Sequence, residues 1–196
     1  MLLVEISMSN EVTTVYFEGR GKEFTEETCL LAKRRANQLG IRDIILASYT
    51  GFTALKALEI FQGYNVVVVA GVFGYREPNQ DRLPSEVKAE IEARGGKVVR
   101  AAHAFGTLGR AVNRRFKVIQ VDEIIAHVLR LFGPGVKVGC ECACMAVDAG
   151  LVRAGVEAIS IAGTGKGADT AIILKTSNTH KFFDSRILEI ICKPRE

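Results

Sequence analysis

Apolar residues along this chain keep two rhythms. Short β-branched runs at residues 12–17, 44–47, 65–70 and 97–101 predict strands, and the third holds four consecutive valines, the mark of a strand covered on both faces. Between these runs, apolar side chains recur every three or four positions. Ala54, Leu55, Leu58 and Phe61 give the inner face of a helix over about 53–61, and Val87 and Ile91 that of a helix over about 84–94. An earlier helix starts at Thr25, read as its N-cap with Glu26 and Glu27 suiting the helix dipole, and runs to Leu39, where Gly40 stops it. A further helix is expected from Asp122, again read as an N-cap, through Leu131, and another over about 136–149. Residues 157–162, 171–175 and 187–192 read as late strands, with 178–184 between the last two.

Strands alternate with helices through the first two thirds of the chain. That order implies right-handed crossovers and a parallel sheet. The last third has strands joined by turns, which predicts an antiparallel edge. The expected fold is therefore a single α/β domain over residues 1–196: three layers, a mainly parallel mixed sheet, and helices on both faces.

Composition narrows the function classes. At 48% hydrophobic and 24% charged the chain is ordinary for a globular protein. A net charge of +4 and 7% aromatics, with no Trp, do not make a basic, aromatic-studded platform, so nucleic acid is not an expected partner. No apolar run reaches the length of a membrane span, and residues 1–6 are short and carry Glu5, unlike a leader, so a cytoplasmic chain with no membrane partner is expected. Of five cysteines, Cys140, Cys142 and Cys144 crowd together. Cys140 and Cys144 share one helical face without a matching pair elsewhere, which favours buried free thiols over a metal site. Lys33, Arg34 and Arg35 read as a solvated basic face.

Candidate chemistry collects at strand carboxyl ends, where open α/β sheets bind ligands. Ser48-Tyr49-Thr50-Gly51-Phe52-Thr53 follows a strand and opens a helix. Its first-turn N–H groups and the hydroxyls of Ser48, Thr50 and Thr53 suit a phosphate, while plain N-capping by Thr50 or Thr53 is the simpler reading. Gly163-Thr164-Gly165-Lys166-Gly167-Ala168-Asp169-Thr170 joins two strands. Its spaced glycines and Lys166 suit an anion-binding concavity, or equally a hairpin turn with one exposed lysine. It is neither a P-loop, since Gly167 follows Lys166, nor a dinucleotide fingerprint, since the spacing is G-x-G-x-G before a strand. Loops 71–79, with Gly74, Tyr75 and Arg76, and 103–110, with His103, Gly106, Thr107, Gly109 and Arg110, complete the rim. His103 is a general base, a ligand contact, or a histidine satisfied by backbone. Arg76 and Arg110 suit an anion, or pair with Glu77 or Asp122. Glu141, near a helix N-terminus, is stabilised there with or without a function.

The run Ala47-Ser48-Tyr49-Thr50-Gly51-Phe52-Thr53-Ala54 resembles the effector-phosphate loop of the pyruvate kinase C-terminal domain. Gly74-Tyr75-Arg76-Glu77-Pro78, Leu108-Gly109-Arg110, Ala146-Val147-Asp148-Ala149-Gly150-Leu151, residues 163–171, and Phe182-Phe183-Asp184, together with Thr25-Glu26-Glu27-Thr28, are similar to stand-alone archaeal and bacterial relatives of that domain. The resemblance implies the fold described above, no pyruvate kinase activity because the catalytic barrel is missing, and flavin mononucleotide (FMN) as a bound ligand with no settled reaction. The cysteine cluster departs from the aliphatic helix expected of such relatives. Three functions stay open: an FMN-binding protein, with a flavin-dependent oxidoreductase as its activity; a non-catalytic sensor of a phosphorylated metabolite; and a homo-oligomeric assembly domain whose loops bind only adventitious phosphate.

Overall fold

A computed structural model describes residues 9–195. The reading of residues 1–6 as unlike a leader lies outside the described residues. Among the described residues seven strands form one sheet: β1 (Val15–Phe17), β2 (Asp43–Ala47), β3 (Asn65–Val69), β4 (Lys97–Val99), β5 (Glu157–Ala162), β6 (Thr170–Lys175) and β7 (Arg186–Pro194). Their order is β1-β7-β6-β5-β2-β3-β4. Pairs β2–β3, β2–β5, β3–β4 and β1–β7 are parallel, and the antiparallel pairings are confined to β5–β6 and β6–β7. The α/β class, mixed sheet and antiparallel side are as the alternation of elements predicts.

Among the described residues six α-helices cover it: α1 (Thr25–Leu39), α2 (Phe52–Ile60), α3 (Ser85–Ala93), α4 (Thr107–Phe116), α5 (Val121–Arg130) and α6 (Pro134–Asp148). Strand side chains alternate between two cores. Ile44, Leu46, Val66, Val68, Ile159, Ile161 and Ile173 meet Cys29, Ala32 and Ala36 of α1, Ala54, Ala57 and Leu58 of α2, and Ile91 of α3. Ile45, Val67, Val69, Ala158, Ile172 and Leu174 meet Ala126 of α5 and Val136, Ala143 and Met145 of α6. The valine run is covered on both sides, as its composition demands. α6 approaches the sheet through Gly135, where a Cβ would strike Thr170, and Gly139, where one would crowd Ile172. Its three cysteines, with Cys29 and Cys192, are buried free thiols that pack as small apolar residues.

Several local expectations are corrected. Residues 107–110 are the first turn of α4 rather than loop; Gly106, at φ 134°, makes the break before it. α5 is capped by Gln120 and Glu123 in a reciprocal box, not by Asp122. Thr25 is the first residue of α1, not its cap, because its hydroxyl accepts the Ala168 N–H at 3.0 Å instead. The basic run on α1 is not a free solvated face. Lys33 donates to the Ile60 carbonyl at 2.6 Å, and Arg35 grips Glu189 at 2.6 and 2.7 Å. Among the described residues no helix is long and apolar enough to cross a membrane.

Candidate functional site

Strands β2, β3, β4 and β5 run the same way, so the segments after them emerge on one edge of the sheet. There they enclose a cavity of about 540 Å³.

The β2–α2 segment forms one wall. Gly51 precedes α2 at φ 90°, and a Cβ there would collide with Val87 of α3, so both backbone and space require glycine. Neither Thr50 nor Thr53 caps the helix. The Ala54 N–H goes to Ser48 Oγ at 3.3 Å, and the helical ladder begins with Leu55 N–H to the Gly51 carbonyl at 2.9 Å. The N–H groups of Phe52 and Thr53 therefore stand ahead of the ladder, at the positive end of the helix.

Opposite lies the turn between β5 and β6. Gly165 at φ 120° and Gly167 at φ 70° give it a shape that side chains resist. Asp169, fully buried, holds it from within. Its carboxylate accepts the Thr164 N–H and the Gly21 N–H, each at 3.1 Å, and the hydroxyls of Thr164 at 3.2 Å and Thr170 at 3.0 Å. A Cβ on Gly167 would meet Lys22 and Thr25, so the turn sits hard against the entry to α1. Lys22 reaches the cavity from that side with its ammonium 3.8 Å from the Phe52 ring centroid.

Aromatic rings line the third side. His103 lies 5.3 Å from Tyr75 and 6.5 Å from Tyr49 between ring centroids, and the Tyr49 hydroxyl is 3.5 Å from His103 Nε2. Arg110 donates to the Tyr75 hydroxyl, and Arg82 lies 5.4 Å from the Tyr49 ring. Burial lowers the His103 pKa below its ordinary 6.5; Glu141 opposes that shift, and Lys137 and Arg110 add to it. Burial also raises the Tyr49 phenol above 10.0. Near pH 7 the wall thus offers a neutral imidazole and an un-ionised phenol.

The floor is a buried ion pair on α6. Lys137 Nζ donates to Glu141 Oε2 at 2.5 Å, and Glu141 Oε1 accepts the Phe105 N–H at 3.0 Å. Their side chains are only 5% and 6% exposed. Of the residues lining the cavity, six carry positive charge (Lys22, Arg82, Arg110, Arg130, Lys137 and Lys166) and Glu141 alone is acidic. Such a basin favours an anion.

Of the residues picked out by sequence, Ser48, Thr50, Thr53, Tyr75, His103, Arg110, Gly163, Gly165, Lys166 and Gly167 line this cavity. Thr50 and Gly165, 115 positions apart in numbering, face the same space. Gly51, Gly74, Arg76, Gly106, Thr107, Gly109, Thr164 and Asp169 are not among its lining residues. Gly51, Thr164 and Asp169 shape the two loops, and Thr107 donates to the His103 carbonyl at 2.8 Å. Gly109 leaves room for Asp122, and Arg76 is exposed. Lys22, Tyr49, Phe52, Arg82, Arg130 and Lys137 were not foreseen as lining residues. Lys137 and Glu141 carry the usual signature of a surface pair, one helical turn apart; only the apolar residues on every side of them hint at burial. No protein-family model matches this sequence.

Proposed function

We propose that this protein binds a phosphate-bearing small molecule at the carboxyl ends of its parallel strands, and that the ligand is FMN. The observation that carries the reading is the convergence of two chain-distant loops, at Thr50 and at Gly165–Lys166, on one cation-rich cavity beside the start of α2. Free first-turn N–H groups, the Thr50 hydroxyl, Lys22 and Lys166 supply what a phosphate needs.

The remaining walls suit a flat heteroaromatic group. Tyr49, Tyr75 and His103 offer ring faces, Val69, Ala70 and Val138 offer apolar surface, and about 540 Å³ lies within the range of small-molecule sites. The specific choice of FMN rests on the family resemblance, which the cavity accommodates. A bound flavin would supply hydride and electron chemistry, and a flavin-dependent oxidoreductase is the activity it would serve. The alternative is a non-catalytic sensor of a phosphorylated metabolite, using the same cradle. Pyruvate kinase activity is not proposed for this single α/β domain.

Absorption of the purified protein tests the choice. Bound flavin gives bands near ~370 and ~450 nm. A colourless protein that takes up no FMN on titration, yet melts higher with sugar phosphates, would replace FMN by the sensor reading. No response to either would end both.

A further inference from the structure

We propose that two copies of this chain pair through the outward face of α5 and the segment leading into it. α5 has two apolar sides. The inner one, with Ala126 buried and Leu129 half-buried, packs against the α6 side of the sheet. The outer one carries Val121, Ile124 and Val128, followed by Leu131 at the C-cap, at spacings of three, four and three. That is the seam of one helix packed lengthwise on another. Here the four side chains lie open to solvent, from 47% exposed at Ile124 to 83% at Leu131.

The seam does not stand alone. Phe116, Val118 and Ile119 precede it in the chain, Phe132 follows it, and all four are at least half exposed. From ordinary side-chain areas, these eight residues present about 900 Å², more than the ~300–600 Å² patch usual on a monomer and close to the ~800 Å² each partner contributes to a stable dimer.

The charges favour a second copy as the occupant. α5 is acidic in its first turn, at Asp122 and Glu123, and basic in its last, at His127 and Arg130. A two-fold axis that crosses two such helices at right angles sets them antiparallel. Each acidic start then lies beside the other's basic end, and the helix dipoles oppose favourably. The apolar spacing and the opposed ends of the helix both suit a second copy of the same face. None of the eight apolar residues lines the ligand cavity; Arg130 alone is shared with it.

Sedimentation velocity on the full chain, without added ligand, decides it. Between roughly 1 and 100 µM the wild type is expected to shift toward twice 21.3 kDa. Val128→Asp with Leu131→Asp should raise the dimer dissociation constant by about 30-fold or more while leaving the circular dichroism spectrum unchanged. Leu131→Ser, at the most exposed position, carries the same test if Val128→Asp disturbs folding. Leu30→Asp, on the exposed face of α1, should not weaken the dimer. A wild type that stays monomeric throughout, or a dimer equally tight in the seam variants, overturns the proposal; so does Leu30→Asp dissociating it as strongly.

Discussion

The ion pair under the cavity can be broken from one side. Lys137→Met keeps the length and apolar stem of the side chain but removes its charge. Glu141 would then keep the Phe105 N–H and lose its cation, in surroundings where both side chains are about one-twentieth exposed. A buried charge stripped of its partner costs about 3–5 kcal/mol. That is a large part of the ~5–15 kcal/mol that stabilises a typical domain. For a chain of this length it corresponds to a fall in Tm of roughly 10 °C. Adding Glu141→Gln removes the stranded charge and retains an acceptor for Phe105. The double variant should therefore recover about 2 kcal/mol over Lys137→Met alone. Urea unfolding followed by circular dichroism, with matching slopes for all variants, gives both numbers. If Lys137→Met costs less than about 1 kcal/mol, or the second change brings nothing back, water reaches the carboxylate from the cavity and the dry pair inferred here does not exist.

Three further outcomes are expected. Asp169→Ala removes the acceptor of four hydrogen bonds and should cost about 2–4 kcal/mol; it should also weaken FMN or phosphate uptake by calorimetric titration, and unchanged affinity would mean that the glycine turn does not touch the ligand. Gly51→Ala should cost about 1–3 kcal/mol by urea unfolding, from its φ of 90° and the collision with Val87; a neutral variant would refute the close approach of α2 and α3. Burial pushes Cys29, Cys140, Cys144 and Cys192 from 9.0 up to about 12, and Cys142 higher still. A disulfide reagent at about pH 8 should thus find almost no thiol until the protein is denatured. Unfolded thiols lose protons near 9.0 and folded ones only near 12, so stability should decline as pH rises through that window. Rapid native labelling, or a rise in stability across it, would contradict the burial.

The sheet was legible because its cause is local: buried parallel strands favour runs of β-branched residues, and residues 66–69 are four valines. The β2–α2 loop at the cavity was legible for a related reason, since a strand that ends in Ser, Thr and Gly before a helix leaves unpaired N–H groups there. α4 was hidden by Gly106 and Gly109, which read as loop, and by apolar residues that face outward, so its period pointed to no core. The buried Lys137–Glu141 pair was not legible, because adjacency on a helix says nothing about what covers it. Thr25 shows the same limit: its hydroxyl found an N–H 143 positions away in preference to its own helix.

The first described strand has a further consequence. Among the described residues β1 pairs only with β7, and Thr14 donates to the Ile190 carbonyl across a separation of 176 positions. During synthesis that edge must wait, solvated, until almost everything downstream has left the ribosome, whereas β2, β3 and β4 can assemble as they emerge. A chain cut short within β7 would therefore lose both of its partnerships at once, leaving β1 unmatched and β6 exposed as a bare margin open to aggregation.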